Sequence, residues 1–300
     1  MDFGRLMTAM ATPFDSAGAI DAPGVKTLVK HLLSTGTTAV VAAGTTGESP
    51  TLSHEEKLEL FELTLRAADG QIPVIAGTAS NDTRASIELS KEAEKLGVQG
   101  LLLVAPYYNR PSQDGLYAHF KAIAESVNIP VMLYNVPGRT GVNIDVSTIL
   151  RLADIPNVTA VKEASGNMNQ ILQLAAKKPD DLLLYSGDDK LTIPMMSVGA
   201  YGVVSVAAHV VGEEMSKMIE AFVAGDVKTA AVWSSRLLPV FEALFATSSP
   251  GPLKAALKQM GLPGGSVRLP LVDAPEEIAA LMERQLTRLG KVSIGKVRSS

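Results

Sequence analysis

The sequence predicts a TIM barrel, the closed parallel (β/α)8 fold of the α/β class, with a C-terminal helical extension. Eight short apolar, β-branched segments alternate along the chain with segments of helical periodicity. Strands that are apolar on both faces and separated by helices form parallel sheets, and eight such units close into a barrel of about 200 to 250 residues. Residues 1–225 of this 300-residue chain match that size.

Capping residues mark several of the helices between the strands. Ser53, followed by acidic residues, begins one helix, Gly97 ends another, and Asp145 opens a third. Asp189 is predicted to cap the helix after the seventh strand. The eight strands are predicted at residues 6–11, 38–43, 73–77, 100–105, 130–134, 158–162, 182–185 and 201–206.

The sequence beyond the barrel no longer alternates between strand and helix patterns. Residues 226–290 show three helical patterns and no strand, which predicts a C-terminal helical region. Residues 291–300 carry basic side chains without an acid and are predicted to form a flexible tail. We therefore expect one catalytic barrel with a helical appendix.

Composition excludes several classes of function. The chain has no cysteine, which excludes thiolate nucleophiles, disulfides and cysteine-bound metals. Its 27 basic and 31 acidic side chains give a net charge of −4, without the basic excess that nucleic-acid and anionic-membrane binders need. Residues 1–14 show no export signal, and Pro194 with several glycines interrupts the uncharged stretch 191–212. We expect a cytoplasmic protein with small-molecule partners and, at 191–212, a helix and a buried strand.

Polar residues follow most of the predicted strands. Because active sites in these barrels lie at the carboxyl ends of the strands, these residues should meet at one rim. Three of the six tyrosines, Tyr107, Tyr108 and Tyr134, are among them. The sequences at the strand ends are Gly-Thr-Thr-Gly-Glu-Ser at 44–49, Pro-Tyr-Tyr-Asn-Arg-Pro at 106–111, Tyr-Asn-Val-Pro-Gly-Arg-Thr-Gly at 134–141, Lys-Glu-Ala-Ser-Gly at 162–166 and Ser-Gly-Asp-Asp at 186–189.

Lys162 is the most informative of these residues. It closes an apolar strand and should point into the barrel, where burial favours the neutral, nucleophilic amine that forms a Schiff base. From strand position alone, an ion pair with Glu163 or a rim carboxylate explains Lys162 equally well, although adjacent strand residues face opposite sides. Tyr134 closes the preceding strand and is either a proton relay beside Lys162 or an ordinary interior tyrosine.

Two further segments have the chemistry to bind a carboxylate. Gly-Thr-Thr-Gly at 44–47 combines hydroxyls with backbone N–H donors, and the guanidinium of Arg139 suits a bidentate clamp. A plain turn and a solvated surface arginine are the alternative interpretations. The four histidines are far apart without metal-ligand spacing, and no acidic cluster forms a clear Mg²⁺ site. Asp188-Asp189 is the best metal candidate, but Asp189 is better explained as a helix cap.

Together and in this order, the five motifs closely resemble those of the dihydrodipicolinate synthase family of pyruvate-dependent class I aldolases, over residues 4–289. The resemblance implies a lyase of the diaminopimelate and lysine pathway. Such an enzyme condenses pyruvate with L-aspartate 4-semialdehyde, through a lysine Schiff base, to give 4-hydroxy-tetrahydrodipicolinate. It also implies that no metal or organic cofactor is needed, and that the chain forms a homotetramer built as a dimer of dimers.

The resemblance assigns roles to individual residues. Lys162 would form the imine with pyruvate. Tyr134, Thr45 and Tyr108 would form a proton relay, with Tyr108 reaching into the neighbouring subunit. The substrate-binding residues would be Thr46 for the pyruvate carboxylate, Gly187 and Val204 lining the pocket, and Arg139 for the carboxylate of the aldehyde.

The chain departs from the lysine-inhibited members of this family at three positions. Those members have a histidine, a glutamate and an alanine where this chain has Lys57, Ala85 and Pro50. A cationic Lys57 would repel the amines of L-lysine, and Ala85 removes a carboxylate partner, so we expect weak or no feedback inhibition. The positions of the regulatory pocket that match are Ser49, His54, Asn81 and Tyr107.

Two other functions remain open at this point. A sister enzyme that uses the same imine, such as N-acetylneuraminate lyase or a keto-sugar-acid aldolase, would typically depart from Thr-Thr at 45–46 and lack Arg139. A non-enzymatic sensor or scaffold would be expected to have lost Lys162 or Tyr134, and both are present.

Overall fold

The computed structural model describes residues 2–293, and within them eight strands close into a parallel barrel. The strands pair in chain order, and the last pairs with the first. The predicted TIM barrel is therefore confirmed. The strands are β1 (Leu6–Ala9), β2 (Ala39–Ala42), β3 (Val74–Gly77), β4 (Gly100–Val104), β5 (Val131–Asn135), β6 (Val158–Glu163), β7 (Leu183–Ser186) and β8 (Gly202–Ser205).

Most strand boundaries lie one or two residues away from the predicted ones, because local hydrogen bonds decide where each ladder stops. β1 stops at Ala9, and the N–H of Ala11 donates to Nε2 of His209 instead of to a neighbouring strand. β5 and β6 each run one residue further than predicted, since Asn135 and Glu163 continue the pairing of the two strands.

Both faces of the barrel wall are buried. The interior contains one cluster of apolar side chains, including Met7, Val41, Ile75 and Met132. A second, larger cluster lies between the sheet and the surrounding helices. This double burial explains why the strand segments are apolar throughout rather than alternating.

Helices cover the outside of the barrel. Ser53 caps its helix as predicted, and Gly97, with a φ of 93°, ends the next one in the left-handed conformation. Asp145 stands at an N-cap position, but its carboxylate accepts a hydrogen bond from Asn143 and caps no backbone N–H. These helices are α1 (Ala22–Ser34), α2 (His54–Ala68), α3 (Thr83–Leu96), α4 (Gln113–Ala124), α5 (Pro137–Thr140), α6 (Val146–Ala153), α7 (Met168–Lys177), α8 (Thr192–Met196) and α9 (Ala208–Val223), with 3₁₀ turns at Ser49–Thr51 and Asp189–Leu191.

The C-terminal helical extension consists of α10 (Val227–Ala243), α11 (Gly251–Gln259) and α12 (Glu276–Arg288). α10 packs along α9, and α12 packs against both α10 and α11. The division of the chain at residue 225 and the flexible tail at 291–300 stay predictions, and residues 294–300 lie outside the described part of the chain.

The uncharged stretch 191–212 contains α8, β8 and the start of α9, in agreement with the predicted helix and buried strand. Within residues 2–293, no helix is both long and apolar enough to cross a membrane.

Candidate active site

The carboxyl ends of the strands enclose a cavity of about 350 Å³. Its lining includes Thr45 after β2, Tyr107 after β4, Tyr134 at the end of β5, and Arg139 of α5. Arg139 is exposed, and no carboxylate of residues 2–293 lies within ion-pair distance of its guanidinium. The rim therefore brings three of the predicted site residues to one cavity.

Lys162 lies beside Tyr134 inside the barrel. The two residues are register partners in β6 and β5, and Nζ of Lys162 stands 4.3 Å from the centroid of the Tyr134 ring. Lys162 is only 4% exposed. Among residues 2–293 its Nζ has no carboxylate within ion-pair distance, and Glu163 hydrogen-bonds to groups on the outer side of the strand. The ion-pair interpretation of Lys162 is therefore wrong.

The backbone next to Lys162 leaves little space. Gly187 follows β7, and its N–H donates to the carbonyl oxygen of Glu163 at 2.8 Å. A Cβ at Gly187 would lie 2.6 Å from Cβ of Ala164 and 3.1 Å from Cε of Lys162. Because glycine has no Cβ, the Lys162 side chain can pack against this backbone without a steric clash. Val204 of β8 is buried in the same interior cluster as Tyr134.

The Gly-Thr-Thr-Gly loop after β2 is anchored to the C-terminal helices. Thr46 is buried within it, and Glu48 follows in the left-handed conformation with a φ of 57°. Oε1 of Glu48 lies 2.7 Å from Nζ of Lys254 in α11, and both side chains are buried. Oε2 of Glu48 accepts the backbone N–H of Arg268 at 2.8 Å. A buried ion pair thus connects this loop to a distant part of the chain.

Tyr108 stands apart from the cavity of its own chain. Its side chain is 91% exposed, and its φ of 74° is left-handed. Of the three residues predicted to relay protons, Thr45 and Tyr134 line the cavity and Tyr108 does not.

Asp189 is not the helix cap that the sequence predicted. Asp188 caps the 3₁₀ turn instead, accepting the N–H of Lys190 at 2.9 Å. Asp189 is buried, and its Oδ2 accepts the backbone N–H groups of Val206 and Ala207 at 3.2 and 3.0 Å. Burial raises the pKa of Asp189 to about 6. Its carboxylate thus connects the loop after β7 to the loop after β8. No cluster of three metal-ligating side chains exists in residues 2–293.

The comparisons with known proteins agree with this geometry. The model of the dihydrodipicolinate synthetase family matches residues 2–289. The chain belongs to that family. It is 56% identical over 277 residues to the 4-hydroxy-tetrahydrodipicolinate synthase of Moorella thermoacetica, which covers 92% of this chain and 95% of that protein.

Solved structures of dihydrodipicolinate synthases superpose on the whole barrel and its extension. One from Bacillus anthracis has a TM-score of 0.94 and 52% identity, over 96% of this chain and 98% of that one. Another from Cyanidioschyzon merolae, with lysine bound, has a TM-score of 0.95 and 45% identity, over 97% of this chain and 99% of that one. The chain is accordingly an enzyme with the dihydrodipicolinate synthase function.

The sequence did not show what several residues of the site do. Tyr107 was predicted only as a residue of the rim and of the regulatory pocket; the structure places it in the lining of the cavity, where burial raises the pKa of its hydroxyl. Glu48 lies in the motif at 44–49, but no local pattern connects it with Lys254. Asn135 and Glu163 follow Tyr134 and Lys162 directly, and strand alternation alone indicates only that they face outward.

His209 joins β8 to β1 as a buried, neutral imidazole in this synthase. Because Nε2 accepts the N–H of Ala11 at 3.1 Å, Nδ1 carries the proton and donates to the carbonyl oxygen of Val206 at 2.8 Å. Burial lowers the pKa of His209 from 6.5 to about 4, and it lowers that of His119 equally, to about 4.

We expect the free energy of unfolding to fall as the pH drops from 6.5 to 4. The unfolded histidines bind protons in this range and the folded ones do not, so the stability they contribute is complete above pH 6.5 and lost toward pH 4. Asp189 opposes the loss, since its folded pKa of about 6 lies above 3.8 and the folded state gains protons on acidification. The destabilising effect of the two histidines exceeds the stabilising effect of the one aspartate. The free energy of unfolding should therefore fall by about 2 to 4 kcal/mol.

Urea unfolding between pH 7.5 and 4.5 measures this loss. The variant His209→Gln should show a shallower dependence on pH than the parent. An identical pH dependence for His209→Gln and the parent would contradict the assignment.

Proposed function

We propose that this synthase condenses pyruvate with L-aspartate 4-semialdehyde through a Schiff base on Lys162. The observation that carries the proposal is a buried amine, without a carboxylate partner among the described residues, at 4.3 Å from the Tyr134 ring. An amine that is not committed to an ion pair can attack the carbonyl carbon of a 2-oxo acid. The adjoining cavity of about 350 Å³ suits two small substrates.

The chemistry follows from the placement of these groups. The amine of Lys162 adds to the ketone carbon of pyruvate, and loss of water gives a protonated imine. Tyr134, Thr45 and Tyr108 from a neighbouring copy of the chain relay the protons that this dehydration needs. The imine accepts electrons as a methyl proton leaves, and the resulting enamine attacks the aldehyde carbon. The amine of the second substrate then displaces Lys162 as the ring closes.

The remaining assignments concern binding and assembly. Thr46 and nearby N–H groups hold the pyruvate carboxylate, Gly187 and Val204 shape its pocket, and Arg139 holds the carboxylate of the aldehyde. The exposure and left-handed backbone of Tyr108 support its use by a second subunit. The assembly proposed is a homotetramer built as a dimer of dimers, in the cytoplasm.

Reductive trapping tests the proposal directly. The protein is incubated with pyruvate and borohydride, digested, and mapped by mass spectrometry, which should find the adduct on Lys162. A coupled reductase assay with L-aspartate 4-semialdehyde then separates this reaction from that of a sister aldolase. An adduct on another residue, or none, would refute the mechanism.

Arg139→Met should raise KM for L-aspartate 4-semialdehyde by about 10- to 100-fold, because a charge-assisted, bidentate contact is lost. KM for pyruvate should stay within about twofold of the parent. Arg84→Met is the matched control, since this side chain on α3 is 87% exposed. Equal effects on the two KM values would contradict the assignment of Arg139 to the aldehyde.

Inhibition by L-lysine is expected to be weak or absent. Ser49, Pro50 and Tyr107 line the cavity, whereas the imidazole of His54 is held by Glu92 at 2.8 Å. Together with Lys57 and Ala85, this arrangement leaves few groups for the ligand's amines. Initial rates at up to about 10 mM L-lysine test the expectation, and inhibition at low millimolar concentrations or below would refute it.

A further inference from the structure

Glu163 is a buried carboxylate directly beyond the residue that the proposed function makes the nucleophile. It ends β6, and it is 0% exposed. In the pairing of β5 with β6, Tyr134 lies opposite Lys162, and Asn135 lies opposite Glu163. Because strand residues alternate between faces, Lys162 and Tyr134 face the barrel interior while Glu163 and Asn135 face the helices.

Within the described part of the chain, every hydrogen bond to the Glu163 side chain is donated by a neutral group. Oε2 accepts from Nδ2 of Asn135 at 2.9 Å and from Nε2 of Gln170 at 3.2 Å, and Oε1 accepts from the N–H of Ser165 at 2.6 Å. Three donors and no acceptor fit the ionised carboxylate. Within residues 2–293, no lysine, arginine or histidine nitrogen lies within ion-pair distance of it.

The donors are themselves held in place. Asn143 accepts from Nδ2 of Asn135 at 2.9 Å and donates to Oε1 of Gln170 at 2.8 Å. Oδ1 of Asn135 accepts the N–H of Ile144 at 3.0 Å. This amide cluster, made of Asn135, Asn143 and Gln170, therefore joins the ends of β5 and β6 to the loop before α6 and to helix α7.

We propose that Glu163 is an electrostatic positioning residue for Lys162. Its carboxylate, which is buried and has no cationic partner among residues 2–293, favours the positively charged states of the Lys162 nitrogen, which are the ammonium and the protonated imine. Charges on opposite sides of one strand interact through protein rather than water, so the effect is only weakly screened. The hydrogen bond from Asn135 also fixes the strand ends that place Tyr134 beside Lys162. The inference rests on the proposed Schiff-base function.

The test is the pH dependence of reductive trapping with pyruvate. Glu163→Gln keeps the side-chain volume and removes the charge, so the ammonium of Lys162 is less favoured. The pH of half-maximal trapping should move down by about one unit, and kcat should fall about 10-fold because the protonated imine is less stable. Glu163→Asp keeps the charge, so its half-maximal pH should equal that of the parent even if its rate is lower.

A second variant tests the charge without replacing Glu163. Gln170→Lys brings an ammonium to the position that now donates to Oε2, and it should shift the half-maximal pH in the same direction as Glu163→Gln. An unchanged pH profile in either folded variant would overturn the proposal, as would an equal shift in Glu163→Asp. If the parent itself gives no pyruvate adduct, it is the proposed function that fails, and not this inference alone.

Discussion

Replacing Lys162 with methionine will abolish the borohydride-trapped pyruvate adduct and lower kcat/KM by at least about 10⁴-fold. The covalent route needs a primary amine at this position, and methionine supplies none. Methionine retains an unbranched apolar side chain in the space between Tyr134 and Gly187, so the fold should persist. Intact-mass measurement after trapping and the coupled assay with both substrates provide the two readouts.

A matched control separates loss of the amine from loss of any lysine near the rim. Lys190 is exposed on the 3₁₀ turn after β7, and Lys190→Met should keep the adduct and the parent activity. Circular dichroism and urea unfolding should show that Lys162→Met remains folded. A folded Lys162→Met that still traps pyruvate would disprove the role of Lys162 as nucleophile.

Replacing Lys254 with methionine should lower the free energy of unfolding by about 3 to 5 kcal/mol, because Glu48 then remains buried without its cation. The side chains of Lys254 and Glu48 are 2% and 0% exposed, and the two charged atoms are 2.7 Å apart. Burial lowers the pKa of Lys254, and the Glu48 carboxylate opposes that shift. Nζ of Lys254 also donates to the carbonyl oxygen of Ser266 at 2.9 Å, a bond that methionine cannot make.

Activity should fall along with stability, since Glu48 closes the loop that carries Thr45 and Thr46. Urea unfolding measures the stability, and KM for pyruvate reports the loop. The double variant Glu48→Gln with Lys254→Met removes both charges and should recover much of the lost stability. Lys258→Met, at an exposed position of the same helix, should stay within about 0.5 kcal/mol of the parent. A loss below about 1 kcal/mol in Lys254→Met would contradict this account of the ion pair.

The local sequence pattern was sufficient to predict the barrel. Each strand is buried on both faces, so its residues had to be apolar and were recognisable without any contact information. Ser53 and Gly97 mark helix ends because a cap acts within a few residues of itself. Asp189 was misassigned for the opposite reason, since its partners are N–H groups after the next strand.

In the candidate site, too, local sequence pattern predicted some features and could not predict others. The placement of Lys162 and Tyr134 at adjacent strand ends follows from barrel topology, which sequence periodicity predicted. Whether Lys162 is paired with a carboxylate could not be predicted, because an ion pair depends on side-chain distances in three dimensions. The structure answered that question by turning Glu163 to the other face of the strand, toward Asn135 and Gln170.

By itself, the sequence determined the eight-stranded barrel, the order of the strand-end motifs and the absence of any thiol chemistry, because these are properties of composition and of short-range periodicity. Only the tertiary structure decided which charges are balanced. It paired Glu48 with Lys254 across most of the chain and left Glu163 and Lys162 unpaired within the described residues. The reason is physical: burial and distance set the energy of a charge, and neither is encoded in the spacing of neighbouring residues.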